Sequence, residues 1–598
     1  MGSANLDPQQ AQLAVNTKLW SGELRPFFQN LIIQPLGDVG DVRSFYLLEE
    51  QWLISRKRIR FVPSLLGSEV NHRTYFTVDG EDKSLRVIDT ELIDEAVNQG
   101  WDKEFIDLDS EGYQFYYLVG VPSPVSAPSV STESTGEDEN RIYVFTFVSE
   151  WGEESKDSPL SDSILVGEGD DVTITTPTTV DDDGYVPVTH KRIYRLNVTT
   201  EGLGILQYVD EIPLEQDIYT DNKAGSELGE TIRTEDFDLP PDDLFGLIQH
   251  PAGYMIGFRK EEVCFSEPGN PYAWPVKYRL PTNYEIMAGG VTGNTAAVLT
   301  KAYPYLIYGS APEESYLHQI PGNYGCINSY AVASTEIGII FPNKVGLCVV
   351  RGDGDVPVIT RGDLSPDEWM PYARDLQFGT VFDDKYFGFY SGENGTGGFL
   401  VDPNEPQGSF VLFDYFSLTT FSQVDERKLF FILKDKETEE SYIVEYDGNK
   451  LRPISCFWKS RRFYQPSLNF AAGKVNVGER VTTDQEIESS FLDLAGSYLS
   501  FDHLESYSGA LNGASFNYFD HNGDYLSPAF LKEIFEFQVL LSIYSNRNLI
   551  FRRNITNDKP FRMPAGFKTE GHTEYEISTT SDVQRVVLGT SMQEVANA

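Results

Sequence analysis

Short apolar runs, each closed by a polar turn, recur along the middle of the chain. Residues 254–258 (YMIGF) lead through the turn 259–262 into 263–265 (VCF). Residues 296–299 turn through Lys301 and Pro304 into 306–308, and residues 337–341 (IGIIF) turn at 342–344 into 345–350. Residues 385–390 (KYFGFY) pass a glycine-rich loop into 399–401, and 428–433 (KLFFIL) pass a charged loop into 442–446. Runs this short, rich in β-branched and aromatic side chains and bounded by Gly, Pro and Asn, predict strands paired as hairpins. The hairpins begin at residues 254, 295, 337, 385 and 428, in steps of 41, 42, 48 and 43. A period of about 40–50 residues in β-rich sequence predicts a β-propeller, one small sheet per repeat. Residues 45–48, 52–54, 74–78 and 85–88 supply four further strands, read as one earlier blade. A last blade is expected from strands near 31–33 and 457–463, which gives six or seven in all.

Between the early blade and the periodic region the pattern changes. Residues 121–140 are rich in Pro, Ser, Thr and acids and read as a linker. Residues 141–148 (RIYVFTFV) are followed by short apolar runs at 172–175, 192–195, 206–209 and 218–219. This density of strands predicts a β-sandwich of about 100 residues, inserted between the first and second blades. After Arg462 the hairpin period stops; strands are expected again at 537–544, 575–578 and 586–588, with a short helix starting at Ser527-Pro528. The division is therefore an N-terminal arm with closing strands (1–42), early blade or blades (43–115), inserted sandwich (116–238), remaining blades (239–460) and a C-terminal β domain with a short helical insertion (461–598).

Composition sharpens this picture. The 598 residues include 38 Phe and 33 Tyr, which favours strands, and 50 Gly and 32 Pro, which supply turns. With 91 acidic against 47 basic residues the net charge is −44. A surface that grips nucleic acid is normally basic, so tight DNA binding is not expected. The four cysteines, Cys264, Cys326, Cys348 and Cys456, are widely spaced and read as free buried thiols of a reducing compartment. No apolar run approaches the ~18 residues that span a bilayer, so membrane insertion is not expected. No GxSxG, HExxH or phosphate-binding loop occurs, and no catalytic residue, cofactor or metal is expected. The triplets Phe501-Asp502-His503 and Phe519-Asp520-His521, and the run Asp181-Asp182-Asp183-Gly184, are read as acidic turns.

Three stretches carry a resemblance. The first is Leu19-Trp20-Ser21-Gly22-Glu23-Leu24-Arg25-Pro26. The second runs from Tyr143-Val144-Phe145 through Gly152-Glu153-Glu154-Ser155, Ser158-Pro159, Arg192-Ile193-Tyr194-Arg195 and Leu239-Pro240-Pro241 to Phe265-Ser266-Glu267-Pro268 and Tyr272-Ala273-Trp274-Pro275. The third is Pro560-Phe561-Arg562-Met563-Pro564, followed by Val586-Val587-Leu588-Gly589-Thr590-Ser591-Met592. In this order they resemble the nozzle, or tail tubular B-like, proteins of short-tailed phages. The resemblance implies an all-β fold: a propeller body, a fibronectin type III-like insert and a C-terminal β domain. It implies a homohexameric ring in the virion tail, assembled in the host cytoplasm. Its implied partners are a tail adaptor (tubular A-like) protein, a tail fibre or spike, and viral DNA that passes without tight binding. Residues 492–535 and the extreme acidity depart from that family pattern. A receptor-binding or carbohydrate-recognising tail protein is the alternative, and a propeller glycan hydrolase the remaining class.

Basic clusters stand out against the acidic background. Arg56, Arg58 and Arg60 alternate along an expected strand, which places them on one face. Lys459, Arg461 and Arg462 form a second cluster, and Arg547, Arg552 and Arg553 a third. Each is a candidate for a subunit interface or for phosphate contacts in a lumen.

Overall fold

The computed structural model describes residues 11–597 apart from 21, 65–71, 82–83, 103, 112–114, 134–135, 137–138, 168, 199–203, 394, 424–425, 436–437, 465–468, 479–537, 565–568 and 570. Strands dominate, arranged in many small sheets. The chain divides into two compact units: Asp41–Ile339 with Val350–Val356, and Met1–Gly40 with Ile340–Val349 and Pro357–Ala598.

In the first unit, Ser44–Leu48 pairs with Gln51–Ser55, which takes Phe105–Asp107 alongside in parallel. Ile59–Pro63, Thr74–Val78, Leu85–Ile88 and Tyr117–Leu118 form a separate sheet. The single early blade expected from sequence is thus two sheets. The ladder breaks after Ser55 because Asp109 accepts the Ser55 hydroxyl at 2.9 Å and the Arg56 N–H at 2.6 Å, which turns the chain out of the first sheet. The helix Thr90–Asn98, unforeseen from the sequence, starts where the Asp89 carboxylate accepts the Leu92 N–H. It lays Leu92, Ile93 and Ala96 inward, and Ile93 and Ala96 meet Leu53, Phe76 and Ile106 in a shared core.

Two further four-stranded sheets follow, one from Phe245–His250 to Leu280–Pro281 and one from Ile286–Thr292 to Tyr316–Gln319. Each is an up-and-down meander, as the hairpin period predicts. The first strand of one sheet lies beside the first strand of the next. Ser44–Leu48 neighbours Ile59–Pro63, which neighbours Phe245–His250, then Ile286–Thr292, then Ala333–Thr335. This close succession needs Gly289, where a Cβ would run into the Phe258 ring.

The inserted module consists of two sheets. One pairs Ser129–Ser131, Val172–Thr175 and Ile218–Asp221. The other pairs Ile164–Val166, Glu139–Ser149, Val188–Val198 and Leu206–Pro213. Tyr143, Val172, Ile174, Ile193 and Val209 form the core between them. The module enters after the second sheet of the unit, not the first, because the early strands form two sheets. Its first strand, Ser129–Ser131, lies inside the stretch read as a linker; only Val130 is apolar there, too little to show a strand pattern. Residues 155–161 run along the edge of Glu139–Ser149 with a period of three. Ser155, Ser158 and Ser161 each donate a backbone N–H to Phe147, Phe145 and Tyr143 carbonyls at 2.9 Å. Their hydroxyl oxygens accept the N–H groups of the same three aromatics at 2.9, 3.1 and 2.9 Å.

In the second unit, one long sheet runs in the order Leu376–Phe382, Lys385–Gly392, Gly395–Val401, Val411–Phe413, Ala11–Val15, Cys456–Ser460, His572–Thr579, Val539–Ser545, Asn548–Ile555. A second sheet joins Thr420–Gln423, Lys428–Lys434 and Ser441–Pro453 to the N-terminal strand Phe28–Gly37. Phe387, Phe389, Phe413, Phe431 and Val444 pack these sheets together. A third small sheet joins Phe561–Arg562, Ala472–Val477 and Val583–Gly589. The expected blade from 31–33 and 457–463 does not form. Phe28–Gly37 completes the sheet of residues 420–453, while Cys456–Ser460 pairs Ala11–Val15 and His572–Thr579. The C-terminal β domain therefore also takes strands from both sides of its expected boundary. The helix expected at Ser527-Pro528, the segment 492–535 and both Phe-Asp-His triplets lie outside the described residues.

Candidate functional site

The stretches at residues 19–26 and 586–589 are far apart in sequence but line one cleft in the second unit. Leu24 and Val583 exchange both backbone hydrogen bonds, at 3.0 and 2.9 Å, and Arg25 lies 3.8 Å from Asp582. This bridge holds the Leu19–Leu24 turn over the C-terminal sheets. Beneath it is a cavity of about 1000 Å³, lined by Leu19, Trp20, Leu24, Trp458, Phe463, Phe470, Leu541, Tyr575, Ile577 and Leu588 among others. Trp20 remains 45% exposed at its rim. The Lys385 ammonium sits 4.7 Å from the Trp20 ring centre, a cation–π contact that orients the indole. Glu23, Glu405, Gln407, Gln584 and Arg585 line it as well, so the cavity is mixed, apolar and aromatic in part and polar in part.

The same unit holds two of the three basic clusters, in one sheet. Lys459 pairs with Glu576 at 3.0 Å and Arg462 with Glu574 at 2.7 Å. Burial raises the Glu574 pKa, but hydrogen bonds from Gln12 and Arg462 outweigh it and hold the carboxyl below its usual value. Arg461 lies 5.0 Å from the Phe463 ring centre. Arg547, Arg552 and Arg553 are exposed, on or beside Asn548–Ile555, the last strand of that sheet. Arg547 sits in the tight turn with Asn546, both at positive φ (68° and 49°).

The first cluster is distributed differently from the sequence expectation. The strand begins at Ile59, so Arg56 and Arg58 precede it and do not share a strand face with Arg60. Arg56 pairs with Asp107 at 2.8 Å. The Arg58 guanidinium lies 4.5 Å from the Tyr330 ring centre, and Arg60 donates to the Ser329 carbonyl at 2.9 Å. Tyr330 in turn donates its hydroxyl to Asp79 at 2.9 Å. Burial pushes the Arg58 pKa down to about 10 and lowers that of Arg60, and it raises that of Asp79 against the Tyr330 hydrogen bond. Arg60, Asp79, Ser329 and Tyr330 border a cavity of about 240 Å³ also lined by Phe245, Glu285 and Met287. Arg58 and Arg60 thus join the early strands to residues 329–330 within their own unit.

On the insert, Arg192 bridges Glu154 and Glu211, each at 2.7 Å. Tyr194 and Thr146 also donate to Glu154, at 2.7 and 2.6 Å. Glu154, Arg192, Tyr194 and Glu211 line, with Tyr208 and Arg233, a shallow cleft of about 360 Å³. Sequence reasoning marked Arg192 and Tyr194 only as parts of a motif; the strand period placing them beside Glu154 across the sheet was the available signal. The Asp181–Gly184 run is a turn in which the Asp182 carboxylate accepts the Val188 N–H at 2.9 Å. Among the described residues no three His, Cys, Asp or Glu side chains cluster as metal ligands. All four cysteines are buried and free, and burial pushes the thiols of Cys264, Cys326 and Cys456 up to about 12. Among the described residues no helix is long and apolar enough to cross a membrane.

The chain matches no family model and no curated protein. Solved structures similar to it include Hsv2 of Kluyveromyces lactis, at 9% identity and a TM-score of 0.24, covering 49% of this chain and 90% of that one. PorZ of Porphyromonas gingivalis, a surface component of the type-IX secretion system, aligns at 9% identity and a TM-score of 0.20. That alignment covers 70% of this chain and 45% of PorZ. The AfRom2 CNH domain aligns at 8% identity and a TM-score of 0.22, covering 40% of this chain and 90% of the domain. Superpositions this loose add nothing to the fold read from the strand pairings themselves.

Proposed function

We propose that this chain is a structural subunit of a short-tailed phage tail, a nozzle-type ring protein that extends the DNA conduit and docks adaptor and fibre proteins. The observation that carries the reading is the order of the three resembling stretches along one chain. The packing of residues 19–26 against 583–589 supports it, because it makes two of those stretches parts of one cleft. The hairpin period and the first-strand to first-strand succession support a propeller of six or seven blades as the body. The two-sheet insert supports a fibronectin type III-like module. No catalytic chemistry enters this reading; the protein works by shape and contact.

Charge fits the role. Duplex DNA carries about one negative charge per 1.7 Å of axis, so a basic wall would hold each passing phosphate. A wall drawn from a chain of net charge −44 repels the duplex and keeps it centred. Beyond about 8 Å this repulsion is screened at physiological salt, so it acts only in a narrow bore. The axial wall is accordingly net negative, with basic residues at contacts. The alternative, a carbohydrate-recognising tail protein, is favoured by one feature, the tyrosine- and arginine-lined cleft of the insert. Electron microscopy of the purified full chain separates the two readings. A ring with an open axis is expected; a trimer without an axial opening, or a monomer at all concentrations, refutes the nozzle reading.

A further inference from the structure

The strand Asn548–Ile555 ends its sheet: among the described residues it pairs only with Val539–Ser545. Its other edge presents backbone donors and acceptors in alternation, the arrangement that accepts an added strand. The charge here is opposite to that of the chain. Residues 546–563 hold Arg547, Arg552, Arg553, Lys559 and Arg562 against a single acid, Asp558, in a protein of net charge −44. These basic groups differ from the other clusters. Arg56, Lys459 and Arg462 are neutralised by Asp107, Glu576 and Glu574. Among the described residues, Arg547, Arg552 and Arg553 have no carboxylate in ion-pair range. Arg553 instead lies 5.0 Å from the Phe561 ring centre and donates to the Arg562 carbonyl at 3.4 Å. Leu549, 49% exposed, adds an apolar contact on the same strand.

We propose that this edge is the docking strand for a second copy of the chain, which adds an extended acidic segment beside it. Backbone pairing sets the register, and the arginines meet carboxylates across the new edge. A protein segment fits better than DNA, because a phosphate backbone supplies only acceptors and would leave the strand carbonyls unpaired. A second copy supplies the complement, since its acids outnumber its bases 91 to 47. The contact joins a basic edge to a different, acidic surface. It is therefore heterologous, the type of contact that closes into a ring when the rotation permits. The inference rests on the assembly reading and assigns that assembly a surface.

The test uses the full chain, with assembly measured by sedimentation velocity at about 0.1 M and roughly 0.5 M salt. Wild type is expected to assemble and to weaken with salt. The triple variant Arg547→Glu/Arg552→Glu/Arg553→Glu is expected to assemble at least about tenfold more weakly, with an unchanged circular dichroism spectrum. The triple Arg→Gln variant should weaken it less, and the triple Arg→Lys variant should retain most of it; these two keep the test readable if the Glu variant fails to fold. Assembly of the Glu or Gln variants equal to wild type overturns this edge assignment and leaves the ring reading standing. A wild type that never assembles overturns both. Salt-sensitive binding of short duplex DNA, lost in the Gln variant while assembly is unchanged, reassigns the surface to phosphate and also overturns the proposal.

Discussion

Arg195 and Asp221 meet at 2.7 Å inside the insert, with both side chains fully buried. The Tyr143 hydroxyl donates to the same carboxylate oxygen at 2.8 Å, and Arg195 gives a further hydrogen bond to the Lys223 carbonyl. Removing one member of such a pair strands the other charge in the core. Asp221→Ala is therefore expected to destabilise the insert by about 3–5 kcal/mol, read by denaturant unfolding. A loss below about 1 kcal/mol would show that water reaches Arg195. Lys191, also buried, donates to the Pro177 and Gln216 carbonyls at 2.8 and 2.7 Å, and burial pushes its pKa down to about 8. Its folded pKa lies below the unfolded value of 10.5, so the unfolded state binds more protons between the two. The insert should gain stability as pH rises above about 8, and Lys191→Met should abolish that slope. Unfolding midpoints below the onset of tyrosine ionisation measure it; an unchanged slope in the variant would assign the effect to another group.

The serine ladder at residues 155–161 shows how an element can stand in for an edge strand. Each serine satisfies a buried N–H and carbonyl of the neighbouring strand with its own hydroxyl oxygen and N–H, and its hydroxyl hydrogen goes to the next carbonyl, as Ser158 to Pro159 at 3.0 Å. Because the side chains saturate the strand, the edge accepts no further partner. Ser158→Ala leaves the Phe145 N–H buried and unpaired, with an expected cost of about 1–3 kcal/mol. The exposed Ser163 serves as control, and equal effects at both positions would refute the ladder's role.

At the scale of the whole molecule the N-terminal arm has the widest reach. Ala11–Val15 joins Val411–Phe413 to Cys456–Ser460, Phe28–Gly37 completes the sheet of residues 420–453, and Leu24 bridges Val583. A chain lacking residues 1–40 loses a strand from two sheets of its unit at once. That unit is expected to become sensitive to limited proteolysis, while residues 41–339 stay protected because, among the described residues, no strand of the arm pairs into their sheets. Equal protection of both units in the truncated chain would show the arm to be an accessory.

The sequence by itself determined the local elements. Alternating apolar runs and polar turns identified the hairpins from 254 to 446 nearly residue by residue, because hairpin pairing depends on neighbours in the chain. Strand density also changes abruptly near residue 141, within the stretch where two sheets run from Ser129–Ser131 to Ile218–Asp221. Tertiary structure alone decided which sheet a strand joins when its partner is remote. Nothing in residues 28–37 specifies pairing with 441–453 over 457–463, because a strand's own sequence does not name a partner more than four hundred positions away. The split of residues 44–88 into two sheets turned on one carboxylate, Asp109, more than fifty positions from the Ser55 and Arg56 groups it takes. The fate of the basic clusters was equally hidden. Charge is visible in a sequence, but whether an arginine finds a tyrosine ring, a glutamate or open solvent depends on strands brought together from distant parts of the chain.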